Sequence, residues 1–365
     1  MGKSLLVAFA AACLAACSGS PDKKVLTDVP QFKVDPFWPK PLPGNWMLGQ
    51  VAAVAVDKQD NVWVLHRPTS LLDDEKGAQK NPPETKCCTA APAVLQFDRA
   101  GNLLRSWGGK GAGYDWFESE HGIAVDDAGN VWIGGNSPKD HHVVQFTPEG
   151  KFIKQLGKPG QSAGSNSTTQ LGRPAQIQVD AAANELYVAD GYGNRRIAVF
   201  DSNTLAYKRH WGAYGERPHD DKIPAYDPKL PLMRSFQNPV HCVRLSNDGL
   251  VYVCDRQNNR VQIFEKSGKF VREFQFEPET LQNGAVWDLV FTEDRAQKYM
   301  IIANGASGHL VVAERDTGKV VSTFSRPGRM AGELRWVHSL AVDSKGNVYT
   351  AEVGFGRRAQ KFARQ

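Results

Sequence analysis

Three of the nine histidines in this 365-residue chain share one place in a repeating pattern: His121 in EHGIAVD, His241 in PVHCVRL and His338 in WVHSLAVD. Each stands five residues before the start of a polar turn. Three imidazoles meeting at one point, with a fourth position open, form the ligand set of a catalytic zinc site, although copper, nickel or iron would also accept them. Arg67 and Arg256 fall in the same slot after the aromatic anchors Trp63 and Tyr252, and Tyr192 falls one residue later after Tyr187. Paired guanidiniums hold a carboxylate and offset developing negative charge, and a phenol beside cations can act as a base. The set points to metal-assisted cleavage, or proton transfer, on a small anionic substrate. His141, His142, His210, His219 and His309 lack the register and read as surface or loop residues, while His66 is ambiguous beside Arg67. No Walker loop or dinucleotide fingerprint accompanies them, because the glycine-rich GGKGAG at 108–113 opens no helix.

The elements that must position these residues are repeats of one hairpin: AVDKQDNVW (55–63), AVDDAGNVW (124–132), QVDAAANELY (178–187), RLSNDGLVY (244–252) and AVDSKGNVY (341–349). A degenerate sixth copy is VFTEDRAQKYMII (290–302). Each reads as an apolar strand, a polar turn and a second strand that reaches an aromatic residue. Third strands such as RRIAVFD (195–201), NRVQIFE (259–265) and HLVVAER (309–315) follow, then fourth strands such as LLRSWGG and FVREFQF. Four strands per unit in six units predict an all-β, six-bladed propeller. The last copy lacks a fourth strand, and QFKVD (31–35) can supply it from the N-terminal side, closing the ring. GNRRIAVF and NNRVQIF resemble NHL repeats. In such a ring the column Ala52, His121, Ala175, His241, Trp287, His338 lies on the innermost strands. Its histidines alternate, so they come from blades about 120° apart around a sixfold ring.

A 41% hydrophobic and 10% aromatic content supports a large core and excludes wholesale disorder. The net charge of +5 is dispersed, which excludes a nucleic-acid footprint. Residues 1–16 read as an export signal, and Leu14-Ala15-Ala16-Cys17 resembles a bacterial lipoprotein box in which Cys17 carries the lipid. Ser18 resembles an outer-membrane sorting residue. The expected organisation is a lipoprotein signal peptide (1–16), a tether (17–30) and the propeller (31–365), hung on the periplasmic side of the outer membrane or on the cell envelope. Its only contact with a membrane is then the lipid anchor. In that oxidising compartment Cys242 and Cys254 could face each other across one hairpin as a disulfide, whereas Cys87 and Cys88 could be vicinal, reduced or bridged elsewhere.

Arg67 in LGQVAAVAVDKQDNVWVLHR, His121 in EHGIAVD, Tyr192 in ADGYGNRRI, His241 in PVHCVRL, Arg256 in CDRQNNRVQIF and His338 in WVHSLAVD occur in an order that resembles the peptidyl-α-hydroxyglycine α-amidating lyase family, also called peptidylamidoglycolate lyase. The resemblance runs from roughly residue 45 to 362. It implies zinc on His121, His241 and His338, Tyr192 as base, and Arg67 and Arg256 on the substrate. The implied substrate is a small anionic hydroxy-amide, cleaved at C–N to an amide and glyoxylate. The family's calcium-binding Asp after the third His is Ser339 here, which leaves only Ile123 and a first-blade carbonyl toward calcium. Gly193 stands where a family Cys would follow the Tyr. The alternative is a non-catalytic NHL-propeller lipoprotein that binds a partner or small ligand. Such a scaffold needs no joint presence of Arg67, Tyr192, Arg256 and the histidines.

Overall fold

Asp57, Asp126 and Asp343 explain why the repeat reads as it does. One carboxylate oxygen of each accepts two backbone N–H groups across its own turn, at 2.9–3.0 Å. The other accepts the following Asn side chain and the aromatic that ends the hairpin: Trp63 Nε1 at 2.9 Å, Trp132 Nε1 at 3.1 Å and Tyr349 Oη at 3.0 Å. The Asp-x-x-x-Asn-x-aromatic spacing is thus one hydrogen-bonded unit, in which the Asp satisfies turn amides that the strand ladder leaves open.

The computed structural model describes residues 1–2 and 29–365, so the export signal, Cys17 and nearly all of the tether lie outside the described residues. Six four-stranded antiparallel sheets follow one another around a ring. Their innermost strands are Gln50–Val56, Glu120–Val125, Ile177–Asp180, Val240–Leu245, Asp288–Phe291 and Val337–Val342, which define blades 1 to 6. Blade 6 takes its outer strand from the other end of the chain: Phe32–Asp35 pairs antiparallel with Arg358–Arg364, Phe32 opposite Arg364. The six-bladed fold and its N-terminal closure are as the repeats predict. The closure pairs an edge that would otherwise present open backbone groups.

Apolar faces of neighbouring blades interlock. Trp63, Leu65 and Val94 of blade 1, for example, pack with Ile123, Ile133 and Phe146 of blade 2. The long insertion after Arg67 contains two short 3-10 turns, Pro68–Ser70 and Asp74–Gln79, and the strand Thr89–Ala90, which pairs in parallel with Trp46–Met47. Cys87 and Cys88 form a vicinal disulfide there.

Candidate metal centre and substrate cavity

Each histidine of the triad sits at a bulge in its innermost strand. The pairing register skips between Glu120 and Gly122, between Val240 and Cys242, and between Val337 and Ser339. A bulge turns the extra residue out of the ladder, and here it aims the ring at the propeller axis. The matching residues of the odd blades supply what holds the rings. His121 Nδ1 donates to Ala175 O at 2.9 Å, His241 Nδ1 to Trp287 O at 2.5 Å, and His338 Nδ1 to Ala52 O at 2.6 Å. Alternation in the sequence therefore has a structural counterpart: even blades bring imidazoles, and odd blades bring the carbonyls that fix their tautomer.

With Nδ1 protonated, every Nε2 carries a lone pair. His241 Nε2 and His338 Nε2 lie 3.2 Å apart, and the ligand atoms of all three residues fall within 4.8 Å of one another. Two lone pairs facing each other at that distance repel unless a cation lies between them. Tetrahedral zinc with bonds of about 2.0–2.1 Å spaces its nitrogens by about 3.3 Å, so the donor set fits a metal ion. Burial, then the adjacent His338 imidazole and an arginine, holds His121 and His241 well below the usual imidazole range, and burial with Arg67 pushes His338 to about 3, which favours the neutral form that ligands need.

Tyr192 lies in the turn between the second and third strands of blade 3, and Arg256 at the matching turn of blade 4. Both turns are clipped by a fully buried ion pair, Asp190 with Arg196 at 2.9 Å and Asp255 with Arg260 at 2.8 Å, each reinforced by an Asn. Gly191 lets the Tyr192 turn close on blade 4, since a Cβ there would lie 2.0 Å from Val240 O. Tyr192 Oη reaches His121 Nε2 at 3.0 Å and accepts from Arg256 Nη1 at 3.3 Å. Arg256 stacks 4.4 Å over Trp287, and its Nε is buried with no partner among the described residues. Arg67 is held from three sides: it donates to Glu120 O at 2.7 Å, Gln50 Oε1 at 2.9 Å and Asn136 Oδ1 at 3.4 Å.

The structure brings Arg67, Tyr192, Arg256 and His338 to the wall of one cavity of about 360 Å³, with His121 and His241 beside them. Sequence reasoning missed Gln50, Asn136, Arg335 and Trp336 on the same wall. Asn136 had a signal, because it follows Trp132 by the interval that separates Arg67 from Trp63. Three of the remaining histidines, His142, His210 and His309, lie on strands and correct the expectation of surface or loop positions, whereas His141 is in a loop as expected, though buried. His141 and His142 are buried, and His142 begins a strand and stacks on Phe117 at 4.6 Å. His309 opens a strand and pairs with Glu277 at 2.6 Å. His210 lies on a strand as well, half-buried against Tyr207, and His219 is exposed in a loop. His66 is fully buried, with Nδ1 accepting from Gly49 N at 3.1 Å and Nε2 donating to Pro92 O at 3.0 Å. Cys242 and Cys254 are bonded across directly paired positions, Cα atoms 4.7 Å apart, one residue from His241 and two from Arg256. Ser339 Oγ, at the position where the resemblance has its calcium ligand, accepts from Val54 N at 3.4 Å.

Comparison with known proteins agrees with this architecture. Residues 238–264 match the NHL repeat. NHL repeat-containing protein 3 of Mus musculus is 27% identical over 91% of this chain and 84% of its own length. Peptidyl-alpha-hydroxyglycine alpha-amidating lyase 2 of Drosophila melanogaster is 26% identical over 87% of this chain and 73% of its own. Among solved structures, a streptogramin B lyase superposes with a TM-score of 0.54 at 12% identity, over 92% of this chain and 98% of that one, a likeness of fold alone. The chain is a six-bladed β-propeller in which residues 238–264 match the NHL repeat, and it is distantly similar to the peptidyl-α-hydroxyglycine α-amidating lyases.

Proposed function

We propose that this protein is a zinc-dependent carbon–nitrogen lyase that cleaves a peptidyl-α-hydroxyglycine-like carbinolamide to an amide and glyoxylate. The observation that carries the reading is the position of Tyr192 Oη, in contact with both His121 Nε2 and Arg256 Nη1 at the edge of an arginine-lined cavity. A base, a cation and a metal-ligand set are then in reach of one small substrate. The similarity to amidating lyases, which extends over most of the chain, supports the same reading. By its leader sequence the enzyme is exported and held on the envelope by a lipid on Cys17.

When bound by His121, His241 and His338, zinc supplies Lewis acidity that polarises a substrate oxygen and eases loss of a hydroxyl proton. Arg67 and Arg256 hold the substrate carboxylate and fix the reacting carbon beside Tyr192. Tyr192 Oη, as the base, takes the proton of the α-hydroxyl, and Arg256 beside it offsets negative charge on that oxygen. The O–H electron pair becomes the carbonyl bond of glyoxylate, and the C–N pair leaves with the amide nitrogen. Tyr192 returns its proton to that nitrogen, so one proton cycles and nothing is oxidised or reduced.

The test is metal analysis of the purified protein together with glyoxylate release from an N-acyl-α-hydroxyglycine whose acyl chain is uncharged. Tyr192→Phe is expected to slow release roughly 100- to 10,000-fold with metal content and melting temperature unchanged. Full activity in that variant removes Tyr192 as base. A metal-loaded wild type that releases no glyoxylate favours the non-catalytic binding propeller.

A further inference from the structure

The cavity holds more positive charge than the proposed reaction uses. Three arginines line it, Arg67, Arg256 and Arg335, and no Asp or Glu does. Gln50 and Asn136 turn their side-chain oxygens to Arg67, and their NH2 groups have no partner among the described residues. The wall therefore offers mostly hydrogen-bond donors. A carbinolamide of the proposed kind carries one carboxylate, and Arg67 and Arg256 suffice for it.

Arg335 is the surplus cation. Its backbone is anchored, with Arg335 N donating to Glu352 Oε2 at 2.7 Å, but its guanidinium has no hydrogen bond or ion pair among the described residues. It lies 5.6 Å over the ring of Trp336. Trp336 meets Trp287 edge-on, ring centroids 5.3 Å apart, and Trp287 carries Arg256 on its face. Two indoles thus separate Arg335 from the guanidinium that takes the reacting carboxylate. A half-buried guanidinium that has no acceptor among the described residues is available to an anion, and a flat indole beside it suits a hydrocarbon chain.

Resting on the lyase reading for the reacting end, we propose that the natural substrate is a dianion: its acyl group runs over Trp336 and ends in a second anionic group bound by Arg335. Arg335 is then the residue that sets specificity for that acyl end.

N-acylglycines lack the α-hydroxyl and serve as unreactive probes. Calorimetric affinities of the full protein are compared for N-succinyl-, N-glutaryl- and N-adipoylglycine against N-butyryl-, N-pentanoyl- and N-hexanoylglycine. At least one diacid is expected to bind roughly 10- to 100-fold tighter than its monocarboxylate counterpart, as for a charge-assisted hydrogen bond in a partly dry site. Arg335→Gln is expected to erase that advantage while the monocarboxylate probes lose far less affinity, and Arg335→Lys to restore part of it. Equal affinities in the wild type, or an advantage that survives Arg335→Gln, overturn the proposal. Glyoxylate release from N-butyryl-α-hydroxyglycine reports on the lyase reading separately. Release without diacid preference sinks the second anion site alone, and diacid preference without release keeps the site and sinks the lyase.

Discussion

The two ends of the propeller channel treat an arginine in opposite ways. At the end away from the histidines, a cavity of about 240 Å³ is lined by residues of all six innermost strands, and Arg244 reaches into its wall. Arg244 donates to both oxygens of the buried Asp288, at 3.1 and 2.6 Å, and to Leu340 O at 2.8 Å. Asp288 also accepts from Gln176 Nε2, Leu289 N and Leu340 N at 2.8–3.0 Å, and Gln176 Oε1 accepts from Val243 N at 2.9 Å. That network ties blades 3, 4, 5 and 6 together and satisfies the Asp288 carboxylate from all sides. At the histidine end, Arg256 keeps a buried Nε and Arg335 a whole guanidinium without a hydrogen-bond partner among the described residues. Charge satisfied within the chain holds the ring. Charge withheld from the chain is available to a ligand.

The comparison is broken most directly by the same substitution at both ends. Arg244→Met leaves Asp288 buried without its counter-charge and is expected to lower stability by about 3–5 kcal/mol, read as the urea midpoint, with metal content intact in the folded fraction. Arg256→Met removes a cation that the fold never fully paired. It is expected to cost roughly 100- to 1,000-fold in glyoxylate release while the urea midpoint stays level or rises. If Arg256→Met destabilises as much as Arg244→Met, the two ends do not differ in the way described.

Much of this arrangement is legible in the residues themselves, and the reasons are physical. The Asp57, Asp126 and Asp343 turns announce each hairpin because one side chain must satisfy several amides at fixed spacing. The blade count and the borrowed Phe32–Asp35 strand follow from counting such units. The histidine column is readable because a bulge recurs at the same register in the three blades that carry it. The acceptors of those histidines are not readable: Ala175, Trp287 and Ala52 contribute backbone oxygens, to which side-chain identity is blind. Arg335 and Trp336 were missed because they precede the innermost strand, in a segment whose course depends on the buried Glu352 and not on the repeat. His142 was misplaced because its burial comes from Phe117, a loop residue stacked on it from outside the hairpin.

A smaller effect sharpens the contrast by pH. His66 lies directly before Arg67, at the histidine end, and burial pushes its imidazole down to about 4 from an ordinary 6.5. Its neutral ring accepts from Gly49 N and donates to Pro92 O, so protonation in the folded state would cost the first bond. Unfolded chains bind a proton at His66 below about pH 6.5, and the native state resists until about pH 4. Stability from this residue is therefore complete above the first value and is lost progressively as pH falls toward the second, by about 3 kcal/mol in all. His66→Gln removes the titrating group and places an amide nitrogen where Nε2 donates to Pro92 O; loss of the Gly49 bond lowers stability equally at every pH. Urea midpoints of the two proteins, measured across that window, are expected to differ by an amount that is constant above it and shifts by about 3 kcal/mol in the variant's favour on acidification. The triad histidines titrate alike in both proteins and cancel from the difference. Parallel pH curves for the two proteins would mean that His66 is already solvated, and that the strand end carrying Arg67 is looser than its buried contacts indicate.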